Sequence, residues 1–170
     1  MCVPAAVKFR QDVCGGDTAI YTYLERIARE GSDAVAKALG TDVMQEPGLE
    51  SGADSLIRRC ALQNVRLPLA VADEGEHPVS GNPYLPPRST SPYPWLDPAV
   101  TTAVKFFMED RLLKEYNTFV MAYPHAGWMW IRLSAQIYLE LEDFEWLGPV
   151  LKELCDRVAK GEYAATKANL

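Results

Sequence analysis

Seven of the twelve prolines fall between residues 72 and 98. Neither a helix nor the interior of a sheet continues through such a stretch, because each proline fixes its own φ and lacks an amide donor. The block therefore splits the chain into two groups of regular elements that have to pack on each other. Tyr84, Tyr93 and Trp95 are interleaved with the prolines, more aromatic surface than a disordered segment usually carries. Segment 72–98 accordingly reads as a packed loop or lid, the alternative being a disordered insertion.

Ahead of the block, residues 1–40 read as a helical segment. Pro4 sits in the first turn of a short helix that Gly15-Gly16 stops. A second helix starts with Asp17 or Thr18 as N-cap, carries Ile20, Leu24, Ile27, Ala34, Val35 and Leu39 at helical spacing, and ends at Gly40, with Gly31 weakening its middle. Leu56 to Leu69 alternates as a half-buried strand, with Val65, Leu67 and Leu69 on one face and Asn64 and Arg66 on the other.

Beyond the block, residues 99–163 read as helix, hairpin, helix. Asp97-Pro98 starts a helix to about Tyr116, striped by Val100, Val104, Phe107, Met108 and Leu112. Strands at Asn117 to Tyr123 and Trp128 to Tyr138 are joined by the four-residue turn Pro124-His125-Ala126-Gly127. A last helix from about Phe144 to Ala159 should kink at Pro149, and the tail after Gly161 should fray. The sum is an α+β fold in one domain, 1–170: a small antiparallel sheet packed by helices.

Charge and cysteine usage remove several classes of function. The net charge of -6 is spread thinly and no basic stripe exists to neutralise phosphates, so nucleic acid is not an expected partner. No apolar run approaches the ~18–20 residues of a membrane span, so no membrane partner is expected either. Cys2, Cys14, Cys60 and Cys155 are scattered and only His77 and His125 could add imidazole, so neither a metal site nor a disulfide framework is predicted. Met1-Cys2-Val3-Pro4 opens no secretory signal. Four free thiols in a cytoplasmic protein are the expectation.

The chemistry-bearing stretch is Trp128-Met129-Trp130-Ile131-Arg132-Leu133-Ser134. Strand alternation places Trp128, Trp130, Arg132 and Ser134 on one face and three apolar side chains on the other. Two indoles, a guanidinium and a hydroxyl make a plausible pocket for an anion with an apolar body, since arginine's fork takes a carboxylate in two parallel hydrogen bonds. Two other readings stand beside this: Arg132 pairs with Glu140 or Glu142, or it stacks on a tryptophan. His125 is the candidate acid or base, although a turn histidine is more often solvated surface. Tyr123 and Trp95 are candidate further walls, and Ser134 has no adjacent histidine to make it a nucleophile.

Three stretches carry a family resemblance: Asn64-Val65-Arg66-Leu67-Pro68-Leu69, Trp130-Ile131-Arg132-Leu133-Ser134-Ala135-Gln136-Ile137-Tyr138, and Glu140-Leu141-Glu142-Asp143-Phe144-Glu145. In order and spacing they resemble the C-terminal small domain of class V aminotransferase-fold enzymes, in the branch around isopenicillin N epimerase. The opening Cys2 to Arg10 with Gly15-Gly16 resembles that family's interdomain helix. The resemblance implies that Arg132 grips a substrate's α-carboxylate. The family's aldimine lysine has no counterpart: Lys8, Lys37, Lys105, Lys114, Lys152, Lys160 and Lys167 lie in helical or tail contexts. Without a positioned lysine and a phosphate cradle no pyridoxal phosphate is expected, and no other cofactor.

Read as a stand-alone, truncated form of such an enzyme, the chain is expected to be a cofactor-independent cyclase or isomerase, a pericyclase in the most concrete version. It would act on an apolar, carboxylate-bearing secondary metabolite, with Arg132 and His125 as catalytic groups. Trp128, Trp130, Ser134, Tyr123 and Trp95 would bind the substrate. The alternative is a non-catalytic subunit docking on a full-length partner. Either way, association as a homodimer or with a larger partner is expected.

Overall fold

A computed structural model describes residues 2–49, 54–72 and 85–166. Its elements run α1 (Cys2–Asp12), α2 (Asp17–Leu39), β1 (Leu62–Ala70), α3 (Thr101–Tyr116), β2 (Met121–His125), β3 (Trp128–Ser134), α4 (Leu141–Ala159) and the single turn α5 (Tyr163–Thr166). The class is α+β. The three strands form one antiparallel sheet in the order β1-β3-β2. Tyr84 and His77 of the proline-rich block lie outside the described residues, as does Lys167.

The helical stripes do what their spacing predicts. Ile27, Val35 and Leu39 of α2, Val104, Phe107, Met108 and Leu112 of α3, and Phe144, Leu151, Leu154 and Val158 of α4 are buried together. They cover the sheet face that carries Val65, Leu67, Ile131, Leu133 and Ala122. Each of the larger side chains in this layer contributes roughly 1.5–3 kcal/mol by leaving water.

Several local readings are corrected. Gly16, not Asp17 or Thr18, is the N-cap of α2; Asp17 already lies in the helix and pairs with Arg10 at 2.6 Å. Gly31 does not weaken α2 but permits a close helix crossing: a Cβ there would lie 2.5 Å from Phe144 Cγ. α4 starts three residues earlier than its apolar stripe, at a capping box in which Asp143 accepts from the Glu140 amide at 2.8 Å, and it continues through Pro149.

β1 begins at Leu62 rather than Leu56, because 57–59 is a 3-10 turn that sends Arg58 inward to Asp33 at 2.7 Å. It is nearly fully buried rather than half-buried. Its outer edge is paired by the segment around Val43, through Met44 N to Asn64 O at 2.8 Å and Arg66 N to Asp42 O at 3.0 Å. The register shift between Arg66 and Ala70 accommodates Pro68, which has no amide to give to a ladder.

The hairpin is tighter than predicted. Residues 117–120 precede β2, β3 ends at Ser134 rather than Tyr138, and the turn is the two residues Ala126-Gly127 between the paired His125 and Trp128. Both have positive φ, 49° and 78°, the signs of a type I′ turn, whose twist matches that of the strands. Alanine is a poor residue for the first of these positions. Ala126→Asn, at this exposed site, is expected to raise stability by about 0.5–1 kcal/mol, read as an upward shift of the urea midpoint.

Of the proline-rich block, residues 85–98 pack onto the end of the sheet. Leu96 is buried and exchanges backbone hydrogen bonds with Ala70 and Ala72 at 2.8 Å each. The Tyr93 hydroxyl donates to Asp156 of α4 at 2.5 Å, and burial together with that carboxylate pushes the phenol well above its ordinary range.

Candidate functional site

The sheet face away from the helices carries the polar side chains. Register fixes who stands beside whom: Arg132 is flanked by Asn64 on β1 and Met121 on β2, and Trp130 by Arg66 and Tyr123. Arg132 and Ser134 are exposed there, whereas Trp128 and Trp130 are each only 1% exposed.

This separates residues that the alternation pattern had placed in one pocket. Trp128 lies beneath Arg66, whose guanidinium stands 4.3 Å from the indole centre and pairs with Asp42 at 2.7 Å. The cation–π contact read as one option for Arg132 belongs instead to Arg66. The Trp130 indole N–H donates to the His125 carbonyl at 2.9 Å, with the imidazole edge-on at 6.4 Å. Trp95 is 53% exposed and touches neither of the two main hollows.

The first hollow, about 210 Å³, is lined by Arg132, Ser134, Phe119, Met121, Asp143 and Trp146, with Phe144 and Leu147 at its base. Among the described residues Arg132 makes no hydrogen bond or ion pair; Glu140 and Glu142 do not take it up. Its charge reaches Tyr123, where burial raises the phenol's pKa and the guanidinium pulls it back. Asp143 faces the same hollow but is committed to the α4 cap. An exposed guanidinium with no carboxylate partner among the described residues, beside a hydroxyl and aromatic side chains, has the geometry to take a carboxylate in two parallel hydrogen bonds.

The second hollow, about 500 Å³, lies between the 42–49 segment and the sheet and is lined by Trp130, His125, Met44, Glu46, Leu85 and Pro86. Donation from the Ser55 hydroxyl, and secondarily from the Ile57 amide, holds the Glu46 carboxyl below its usual range. His125 opens here and not toward Arg132. Arg132 lies four residue steps along the strand from Trp128, the cross-strand partner of His125, roughly 13 Å at ~3.3 Å per residue. The two groups read from sequence as catalytic partners therefore do not face one substrate atom.

Phe119, Trp146 and Asp143 were missed by the sequence reading. Trp146 carried a signal: it falls off the α4 stripe of Phe144, Leu147 and Leu151, where a large aromatic has to find water or a ligand. Pyridoxal phosphate can be tested against the donors present. Among the described residues no lysine lines either hollow, so neither could hold the cofactor by an imine. The described residues that line these two hollows do not fit that group. No group of three or more potential metal ligands occurs among the described residues, and none of their helices is long and apolar enough to cross a membrane.

No protein-family model matches the sequence. The fold and the hollow define an α+β domain with an exposed arginine at a small cavity, and sequence similarity relates it to part of larger proteins. The chain is 40% identical over 162 residues, 95% of its length, to the L-cysteine desulfhydrase-like protein lolT1 of Epichloe uncinata, and equally so to lolT2 of the same organism. It is 27% identical over 155 residues to the hercynylcysteine sulfoxide lyase of Schizosaccharomyces pombe. It covers 34%, 33% and 29% of these proteins, so it spans about a third of the length of the curated relatives it matches.

Proposed function

We propose that this chain supplies the carboxylate-anchoring domain of an amino-acid lyase, with Arg132 holding the substrate's α-carboxylate. The reacting groups would come from a polypeptide body equivalent to the remaining two thirds of the relatives' length. The observation that carries the reading is an exposed Arg132 with no acidic partner among the described residues, in a hollow with Ser134. An arginine with no structural partner is free to bind an anion, and a two-point guanidinium–carboxylate contact is among the stronger hydrogen-bonded pairs. Two further facts support it. The relatives are named for desulfhydrase-like and sulfoxide lyase proteins. Helix α1 buries no side chain and leaves Val3, Val7 and Phe9 exposed, a surface suited to cover by that second body.

A cofactor-independent cyclase or isomerase acting on an apolar carboxylate is the second reading, favoured by the aromatic wall beside Arg132. Among the described residues it would work through Arg132, Ser134 and Asp143, since His125 opens elsewhere. Conversion of a carboxylate by this chain without any added protein or cofactor is the result that would select it.

The carboxylate test compares L-cysteine with cysteamine, which is the same molecule without its carboxylate, by titration against the backbone amides of 131–134. L-cysteine is expected to shift them and cysteamine not, and Arg132→Gln to weaken the response by about 10- to 100-fold, the loss of one charge-assisted pair. Equal shifts by both compounds would remove Arg132 as an anchor.

A further inference from the structure

Two aromatics that the fold leaves uncovered line the Arg132 hollow together with the guanidinium. Phe119 is 57% and Trp146 47% exposed. Neither belongs to the core, yet both are held. Phe119 follows Asn117, whose left-handed backbone ends α3, and the adjoining Thr118 amide is bonded to Leu112 O at 3.0 Å. Trp146 rides on α4 and receives the Tyr116 ring edge-on, with centroids 6.3 Å apart. Tyr116 is in turn tied to Glu153 at 2.9 Å. Two half-bare rings lining one hollow with a cation, one on a braced helix and one beside a bonded turn, form an amphipathic slot.

We infer that this slot selects carboxylates bearing a compact apolar or aromatic side chain, with Phe119 and Trp146 as its specificity-determining contacts. The inference rests on Arg132 being the carboxylate anchor. The hollow is small: about 210 Å³ is below the ~300 Å³ at which pockets for drug-sized ligands begin, so a carboxylate with one ring or a short chain fills it. A cationic side chain is disfavoured. Arg132 already supplies positive charge there, and one oxygen of the Asp143 carboxylate is engaged by the Glu140 amide.

The experiment uses the chain with acetate, 3-phenylpropionate, 3-phenylpropanamide and phenyltrimethylammonium, read by calorimetry and by the Trp146 indole N–H resonance. The expected order has 3-phenylpropionate binding at least about 10-fold more tightly than acetate, the gain from covering one ring. The Phe119→Ala, Trp146→Ala double variant should bring the two acids within about threefold of each other without weakening acetate. Arg132→Gln should weaken both acids alike and leave the amide unchanged.

Failure modes are separable. If Arg132→Gln changes neither acid, the anchor reading falls, and this inference with it. If Arg132→Gln weakens both acids but the parent does not discriminate between them, the inference alone is overturned. The same holds if the double variant discriminates as well as the parent. Tighter binding of phenyltrimethylammonium than of 3-phenylpropionate, with the Trp146 resonance moving, would also overturn it, because the rings would then serve a cation.

Discussion

Trp130→Ala is expected to destabilise the protein by about 3–5 kcal/mol, the cost of emptying a fully packed tryptophan site. For a domain of this size that lowers Tm by roughly 8–16 °C. Trp130 is 1% exposed, packs with Trp128 and Ala70, and spends its N–H on the His125 carbonyl. Arg132→Ala, two residues along the same strand face, is expected to move stability by no more than about 0.5 kcal/mol, because the side chain is exposed and unpaired among the described residues. Urea unfolding of the two variants beside the parent measures both numbers. A stable Trp130→Ala together with an unstable Arg132→Ala would mean that the burial described for this face is wrong. The contrast bears on any activity measurement: function lost in Trp130→Ala reports a damaged fold, whereas function lost in Arg132→Ala reports a lost contact. Trp130→Phe is the better probe of the second hollow, since it keeps most of the packed volume.

Why the sequence put both tryptophans beside Arg132 in one pocket follows from what periodicity contains. Alternation correctly places Trp128, Trp130, Arg132 and Ser134 on one side of β3, and the helical stripes correctly mark Val35, Phe107 and Leu151 as core. Alternation says nothing about what covers a face. The cover over Trp128 is Arg66, fixed by Asp42 from a segment that pairs with the outer edge of β1. The wall beside Arg132 comes from 118–121 and from the exposed side of α4. These are long-range placements, and a strand pattern that repeats every two residues carries no information on them. Arg58 makes the same point: no periodicity marks it as core, yet it is buried against Asp33, the Arg29 carbonyl and Ser32 on α2. The α-carboxylate role of Arg132 came from the family resemblance and from no property of the strand itself. What the fold adds is that this guanidinium has no carboxylate partner among the described residues.

Gly31→Ala is expected to cost about 1–3 kcal/mol, although the same change at an exposed helical site would gain up to about 1 kcal/mol from propensity and unfolded-state entropy. The sign reverses because α2 and α4 cross with glycines at the contact. A Cβ on Gly31 would lie 2.5–2.7 Å from three atoms of the Phe144 ring, and one on Gly148 would lie 2.6 Å from the Ala38 Cβ. Phe144 has to move, and it is 4% exposed and packed in the core cluster. Phe144→Leu should therefore relieve part of the strain. In a double-mutant cycle the Gly31→Ala, Phe144→Leu variant should be more stable than the sum of the single changes by about 1 kcal/mol or more. Phe144 also forms the base of the Arg132 hollow, so strain introduced on α2 is transmitted to the ligand site through one ring. Gly31→Ala is accordingly expected to weaken 3-phenylpropionate several-fold at temperatures where the variant is fully folded, and Phe144→Leu to restore most of that loss. Additive stabilities and an unchanged affinity would mean that Gly31 and Phe144 are not in contact, and that the crossing of α2 on α4 does not set the floor of the site.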